Sequence, residues 1–173
     1  MSKSTLMLMR HAKAEGYTGA DTDKARPLAA QGDKDADRIG KWMAQQGLMP
    51  DIVLCSPAVR TRQTIAAVNR HLQLADDHII YSDAIYNASL DDLLDLIDQY
   101  RHECNAILVI GHNPGMDELL CFLSETQPPM SDTGKLMATA TVAVLDYDDG
   151  RAIQSGSAKA RLLMRPKELP KSV

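Results

Sequence analysis

Thr5-Leu6-Met7-Leu8-Met9-Arg10-His11 is the stretch that decides the fold. Its apolar run reads as a short strand, and the strand ends by delivering a guanidinium and an imidazole to one point. Two later segments repeat the arrangement: Ile52-Val53-Leu54-Cys55 runs into Ser56-Pro57 and Arg60, and Ile107-Leu108-Val109-Ile110 runs into Gly111-His112. In an open α/β sheet, ligands bind in the crevice beyond the carboxyl ends of the strands. Three strand ends carrying Arg10, His11, Arg60 and His112 therefore predict a pocket for a phosphoryl group.

Outward from these segments, strand and helix signals alternate, which predicts an α/β fold of three layers: a mostly parallel central sheet flanked by helices. Residues 12–28 contain Gly16, Gly19 and Pro27 and read as a loop. A helix is predicted over 30–46, with Ala36, Ile39, Gly40 and Met43 on one face and Gly47 as its stop. Pro57 suits the first turn of the next helix, which carries Ile65, Val68 and Leu72 inward. His78–Tyr81 reads as a third strand. Ser89, with Asp92 three residues on, opens a helix whose apolar face is Leu90, Leu93, Leu94 and Ile97. Ala106–Ile110 is the most hydrophobic strand, as expected for one covered on both faces. Pro114 then opens a helix through Leu119, Leu120 and Leu123. After a loop over 126–135, Thr139–Leu145 and 152–164 read as strands joined by a hairpin at Asp149-Gly150. The polar tail from Arg165 to Val173 is expected to fray. No repeat or linker interrupts the 173 residues, so 1–173 reads as a single domain.

Composition narrows the function. With one Trp, one Phe and five Tyr, an aromatic platform for base stacking is not expected. A net charge of −4 argues against a broad nucleic-acid surface, so any cationic pocket must be built from particular residues. Cys55, Cys104 and Cys121 are odd in number and lack CxxC spacing, which predicts reduced thiols with neither a disulfide framework nor a zinc clip. No apolar run approaches transmembrane length, and Leu6–Met9 is too short for a signal segment, so no membrane partner and a cytoplasmic location are expected. The aspartates 91, 92, 95 and 98 fall along one solvated helix face, and His71, His78 and His102 read as surface residues. Cys55 reads as core, because the cysteine-dependent phosphatases need an Arg six residues later and position 61 is Thr.

Phosphoryl transfer is mostly positioning and charge stabilisation. Arginine suits it, since its planar fork donates two parallel hydrogen bonds to a phosphate and stays charged. A neutral histidine can act as nucleophile and split hydrolysis into two steps. His11 is the candidate nucleophile, Arg10 and Arg60 the candidate phosphate ligands, and His112, as a cation, a further donor. No metal or other cofactor is called for, because cationic side chains take that role. The blander readings are a salt bridge for Arg60 on its own helix and, for Arg26, an anchor to Asp21 or Asp23.

Arg10-His11-Ala12, Ser56-Pro57 with Arg60, Thr61, Gln63 and Thr64, and Gly111-His112-Asn113-Pro114-Gly115 resemble the histidine phosphatase (phosphoglycerate mutase-like) superfamily. The short chain, Arg26-Pro27-Leu28 followed by Gly32, and the ending Arg165-Pro166-Lys167 resemble its small SixA-type phosphohistidine phosphatase branch. The resemblance implies a phosphoglycerate mutase-like fold and a metal-independent phosphatase in which His11 is transiently phosphorylated. It places Arg10, Arg60 and His112 in the phosphate pocket and Arg26 against substrate. Three departures stand out. The family's RHG reads RHA here, and its Asn a few residues later has no counterpart in Lys13-Ala14-Glu15-Gly16-Tyr17. The acid that larger members use to protonate an alcohol is not evident either, Asp83 being the nearest carboxyl. An alkoxide's conjugate acid has a pKa of about 15.7, that of imidazole is about 6.5, and only the former needs a strong acid. The expected substrate is therefore phosphohistidine on a signalling protein such as a phosphotransfer domain. A phosphomonoesterase for a small phosphorylated metabolite and a non-catalytic phosphoryl-binding module are the alternatives.

Overall fold

The computed structural model describes residues 3–17 and 21–173. Six strands form one mixed sheet: β1 (Lys3–Arg10), β2 (Ile52–Cys55), β3 (Ile79–Tyr81), β4 (Ala106–Gly111), β5 (Val142–Asp148) and β6 (Ala158–Met164), in the order β3-β2-β4-β1-β5-β6. The first four run parallel, while β5 lies antiparallel to both β1 and β6. Helices α1 (Ala30–Gln45) and α2 (Val59–Leu72) cover one face, where Ile39, Met43, Ile65 and Val68 pack on Met7, Met9 and Val53. Helices α3 (Leu90–Tyr100) and α4 (Gly115–Leu123) cover the other, where Leu93, Ile97, Met116 and Leu119 pack on Leu6, Leu8 and Ile107. Period-two alternation along β1 therefore feeds two cores, and β4, covered on both sides, is fully buried from Ile107 to Ile110.

This winding creates the crevice. The chain leaves β4 toward one face (α4), and leaves its neighbours β1 and β2 toward the other (α1 and α2). Loops that diverge to opposite faces open a gap above β4, the switch point at which such sheets bind ligands. Register sets the three functional ends level, because Arg10 lies opposite Gly111 and Cys55 opposite Ile110.

Ser89 closes the expected capping box with Asp92, and Gly47 takes the left-handed conformation after α1 (φ 67°). The aspartates of α3 are exposed, and its buried stripe includes Leu96 as well as Leu93 and Ile97. Elsewhere the molecule departs from expectation. Pro57 precedes α2 rather than opening it, because the helix starts at Val59 after Ala58. The loop before α1 contains a 3-10 turn, Asp23–Ala25, capped by Thr22 Oγ1; Gly19 of that loop lies outside the described residues. Asp149-Gly150 does not form a two-residue hairpin, since β5 ends at Asp148 and β6 begins at Ala158.

The tail does not fray at its root. Arg165 is 6% exposed, and it donates to the carbonyls of Pro129, Lys135 and Leu136 and to Glu168. Polar composition misled here because a buried arginine can satisfy a whole loop of backbone acceptors. No helix among the described residues is long and apolar enough to cross a membrane.

Candidate active site

His11 follows directly from β1. Its N–H donates to the Gly111 carbonyl (3.0 Å), and Ala140 N–H donates to the carbonyls of Arg10 and His11 (both 3.1 Å). Its Nδ1 lies 2.7 Å from the Ala12 carbonyl oxygen. A carbonyl only accepts, so Nδ1 carries the proton and Nε2 keeps its lone pair. Burial brings the ring's pKa down to about 4; the Ala12 hydrogen bond opposes it as the next largest effect, and the fields of Arg60, Arg10 and Arg26 add to the lowering. The ring is thus neutral at neutral pH, as a nucleophile must be.

The peptide after it is tied down from two sides. Ala12 N–H donates to Thr64 Oγ1 (3.0 Å), which itself donates to the Arg60 carbonyl on α2 (2.7 Å). On the other side, a Cβ on Gly32 would overlap the Lys13 carbonyl, so only glycine lets α1 lie against this turn. Alanine at position 12 costs nothing, because its methyl is buried in the core shared with α1 and α2.

His112 stands 5.2 Å from His11, centroid to centroid. Its Nε2 is 2.7 Å from Ser56 Oγ and its Nδ1 is 3.2 Å from Arg60 Nη2. A guanidinium only donates, so Nδ1 accepts and the proton sits on Nε2, shared with Ser56. Burial first, then His11 and Arg60, lower its pKa to about 3. Burial among guanidiniums thus favours the neutral ring, and the cationic His112 expected as a phosphate donor requires an anion beside it. Ring-nitrogen NMR titration of the free protein should show both imidazoles still neutral at pH 5.5. Midpoints near 6.5 for either ring would contradict this account of the site's field.

The arginines differ in how they are held. Arg60, in the first turn of α2 and 6% exposed, pairs with Asp23 rather than with a residue of its own helix. Its Nη1 donates to the Asp23 carbonyl (2.7 Å) and its Nη2 to Asp23 Oδ2 (3.0 Å). Arg10 Nη1 donates to the Met137 carbonyl (3.1 Å), which Asn113 Nδ2 also donates to (3.2 Å). Arg10 Nε is buried with no hydrogen-bond partner among the described residues. Arg26 does anchor its loop: Nε donates to the Glu15 carbonyl (2.9 Å) and Nη1 to Asp23 Oδ1 (2.9 Å), with Tyr17 stacked at 5.0 Å. The bland reading of Arg26 is thus present, and its field still reaches His11. Gln63 fixes the same loop by accepting from Leu28 N–H (2.7 Å).

The sequence did not reveal the role of Asp23 or Tyr86. Tyr86 Oη donates to Asp23 Oδ2 (2.7 Å), and its ring meets His112 edge-on at 5.4 Å. That hydrogen bond, with those from Arg26 and Arg60, holds the Asp23 carboxyl well below the usual carboxylate range. Asp23 lies three residues before Arg26, the one sequence signal that pointed to it, and it reads there as a loop anchor only. Asp83 does not reach the site: its side chain is 83% exposed and pairs with Lys24 at 2.7 Å. A cleft of about 220 Å³ opens beside His112, lined by Ile85, Asn87, Ala88, Leu93, Pro114 and Met116 among others, with no carboxylate on its walls among the described residues. The arrangement can hold a tetrahedral anion between guanidiniums with an imidazole nitrogen free to attack it.

Known proteins resemble this chain in sequence and fold. A family model described as the histidine phosphatase superfamily (branch 1) matches residues 6–85. An uncharacterized protein of Mycobacterium tuberculosis is 31% identical over 141 residues, spanning 79% of this chain and 85% of that one. The phosphohistidine phosphatase SixA homolog of Haemophilus influenzae is 28% identical over 155 residues, 85% of this chain and 90% of its own. Among solved structures, a SixA-named protein of Nakamurella multipartitia is 30% identical, with a TM-score of 0.78 over 96% of this chain and 98% of that chain. The protein histidine phosphatase SixA complexed with tungstate has a TM-score of 0.80 at 22% identity, over 96% and 99%.

Proposed function

The chain belongs to the histidine phosphatase superfamily, on its SixA-like side, and from that premise we propose that it hydrolyses phosphohistidine on a partner protein through a phospho-His11 intermediate. One observation carries the choice of a P–N bond: among the described residues, neither Asp23 nor Asp83 is placed to give a proton to a leaving group. Asp23 is held ionised by Tyr86, Arg26 and Arg60, Asp83 faces solvent, and no acid among the described residues lines the cleft beside His112. An alcohol leaving group needs such a proton, having a conjugate-acid pKa of about 15.7. A phosphorylated imidazole can take its proton from solvent on the other ring nitrogen, which ordinarily titrates at about 6.5, and then leaves neutral without an acid from the protein.

In the first step the substrate ring carries a solvent proton on its unphosphorylated nitrogen, His11 Nε2 attacks phosphorus, the P–N bond breaks, and the ring leaves with the electron pair as neutral imidazole. In the second, water attacks phospho-His11, the new P–N bond breaks, and orthophosphate leaves with His11 restored. Arg10 and Arg60 balance charge on the phosphoryl oxygens in both steps. The incoming dianion raises the His112 pKa, so that Nδ1 can gain a proton and donate to phosphate. The tungstate bound by a relative of this fold is a tetrahedral oxyanion of the same kind. A partner protein of the phosphotransfer type suits a pocket whose His11 and His112 are both only partly covered.

The test is phosphate release from a phosphohistidine-bearing domain and from a panel of phosphate esters, with chelator present. Release from phosphohistidine far above that from every ester is expected. Preference for an ester would overturn the substrate in favour of a small metabolite. Binding without turnover of any of them would reduce the protein to a phosphoryl-binding module.

A further inference from the structure

We infer that Asp23 sets the affinity of the anion site by competing with phosphate for Arg60 and Arg26, so that product leaves as the carboxylate retakes the guanidiniums. The inference rests on reading the site as a phosphoryl pocket.

Arg60 keeps no free donor edge for an anion. A guanidinium grips an oxyanion bidentately through Nη1 with Nη2, or through Nε with Nη2. Nη2 belongs to both edges and has two hydrogens. One goes to Asp23 Oδ2 (3.0 Å) and the other to His112 Nδ1 (3.2 Å). Nη1 has already given one hydrogen to the Asp23 carbonyl (2.7 Å). Arg60 therefore cannot take a phosphoryl group on either edge until one of these partners lets go. Asp23 is the charged one, and its Oδ2 takes a donor that a phosphoryl oxygen would need. It holds Arg26 Nη1 through its other oxygen, so a single carboxylate occupies two of the three arginines whose fields converge on His11.

The consequence is opposite in sign to that of a mere scaffold. A residue that only orients Arg60 would, when removed, leave the guanidinium loose and weaken phosphate binding. A competitor, when removed, frees the donors and takes away a negative charge beside a dianion, so binding tightens. Without such a competitor, a pocket of three arginines would retain the orthophosphate that each turnover produces. With it, the carboxylate and the product exchange one for the other, and no proton or other reactant is needed.

Titration calorimetry with inorganic phosphate distinguishes the two. Asp23→Asn keeps the side chain's size and one acceptor oxygen for Tyr86, and it is expected to bind phosphate at least about tenfold tighter than wild type. In turnover it should lower both KM and the inhibition constant for phosphate. Asp83→Asn removes an equal charge that touches Lys24 and no arginine, and should leave phosphate binding within about threefold. Unchanged or weaker binding by Asp23→Asn, or equal tightening by both variants, would overturn the competitor role while leaving the phosphoryl pocket intact. Failure of wild type and variants alike to bind phosphate would overturn both this inference and the proposed site.

Discussion

His11→Ala is expected to lower kcat by at least about 10⁴-fold, as loss of a nucleophile does in enzymes with a covalent intermediate. The expectation follows from what the site leaves unused. Nδ1 is fixed on the Ala12 carbonyl at 2.7 Å, so the only free nitrogen is Nε2, and burial among arginines keeps it unprotonated at neutral pH. His112 cannot take over, because Ser56 and Arg60 engage its two nitrogens. Wild type quenched during turnover should yield a protein-bound phosphate that is labile to acid and stable to alkali, and His11→Ala should yield none. Thermal melting of the variant should stay close to wild type, since the ring is only partly buried and its loss leaves the Gly111 and Ala140 backbone bonds in place. A fully active variant, or label that persists in it, would remove His11 from the reaction.

What the sequence reveals of this molecule, and what it hides, follows from the range of the interactions concerned. Strand ends are local: an apolar run closing on Arg10-His11 or Gly111-His112 states where a sheet stops and what it presents, and parallel register then sets those ends side by side. The jobs of the smaller motif residues needed coordinates. Thr64 ties Ala12 to α2, Gln63 holds Leu28, and Arg165 gathers the loop that in turn supplies the Met137 carbonyl to Arg10. Asp23 and Tyr86 were hidden for a different reason. They lie 63 positions apart and meet only because the 3-10 turn at Asp23, which contacts Arg60 on α2, and the segment after β3, which contacts His112 after β4, come together in the fold. The dependence of the His112 charge on its surroundings is not legible in sequence, because a count of charges in a motif does not include the cost of placing one more, partly buried, among guanidiniums.

Arg60→Lys tests whether geometry or charge governs the phosphoryl pocket. Lysine keeps the positive charge but replaces a planar fork by a single ammonium. Arg60 makes three contacts at once, to the Asp23 carbonyl, to Asp23 Oδ2 and to His112 Nδ1. No single ammonium position reproduces the two-edged grip that a phosphoryl group with three oxygens requires. The expected result is a fall in kcat/KM of about 10²–10³, the usual effect of removing one donor aimed at transition-state charge. The loss should appear in kcat more than in KM, because the fork gains most when charge on the equatorial oxygens is greatest. Phosphate should still bind, through Arg10 and the retained ammonium, so calorimetry separates a damaged transition state from an empty pocket. Activity within a few-fold of wild type would mean that charge alone suffices at this position. The alignment of Arg60 with Asp23 and His112 would then serve the fold of the site rather than its chemistry.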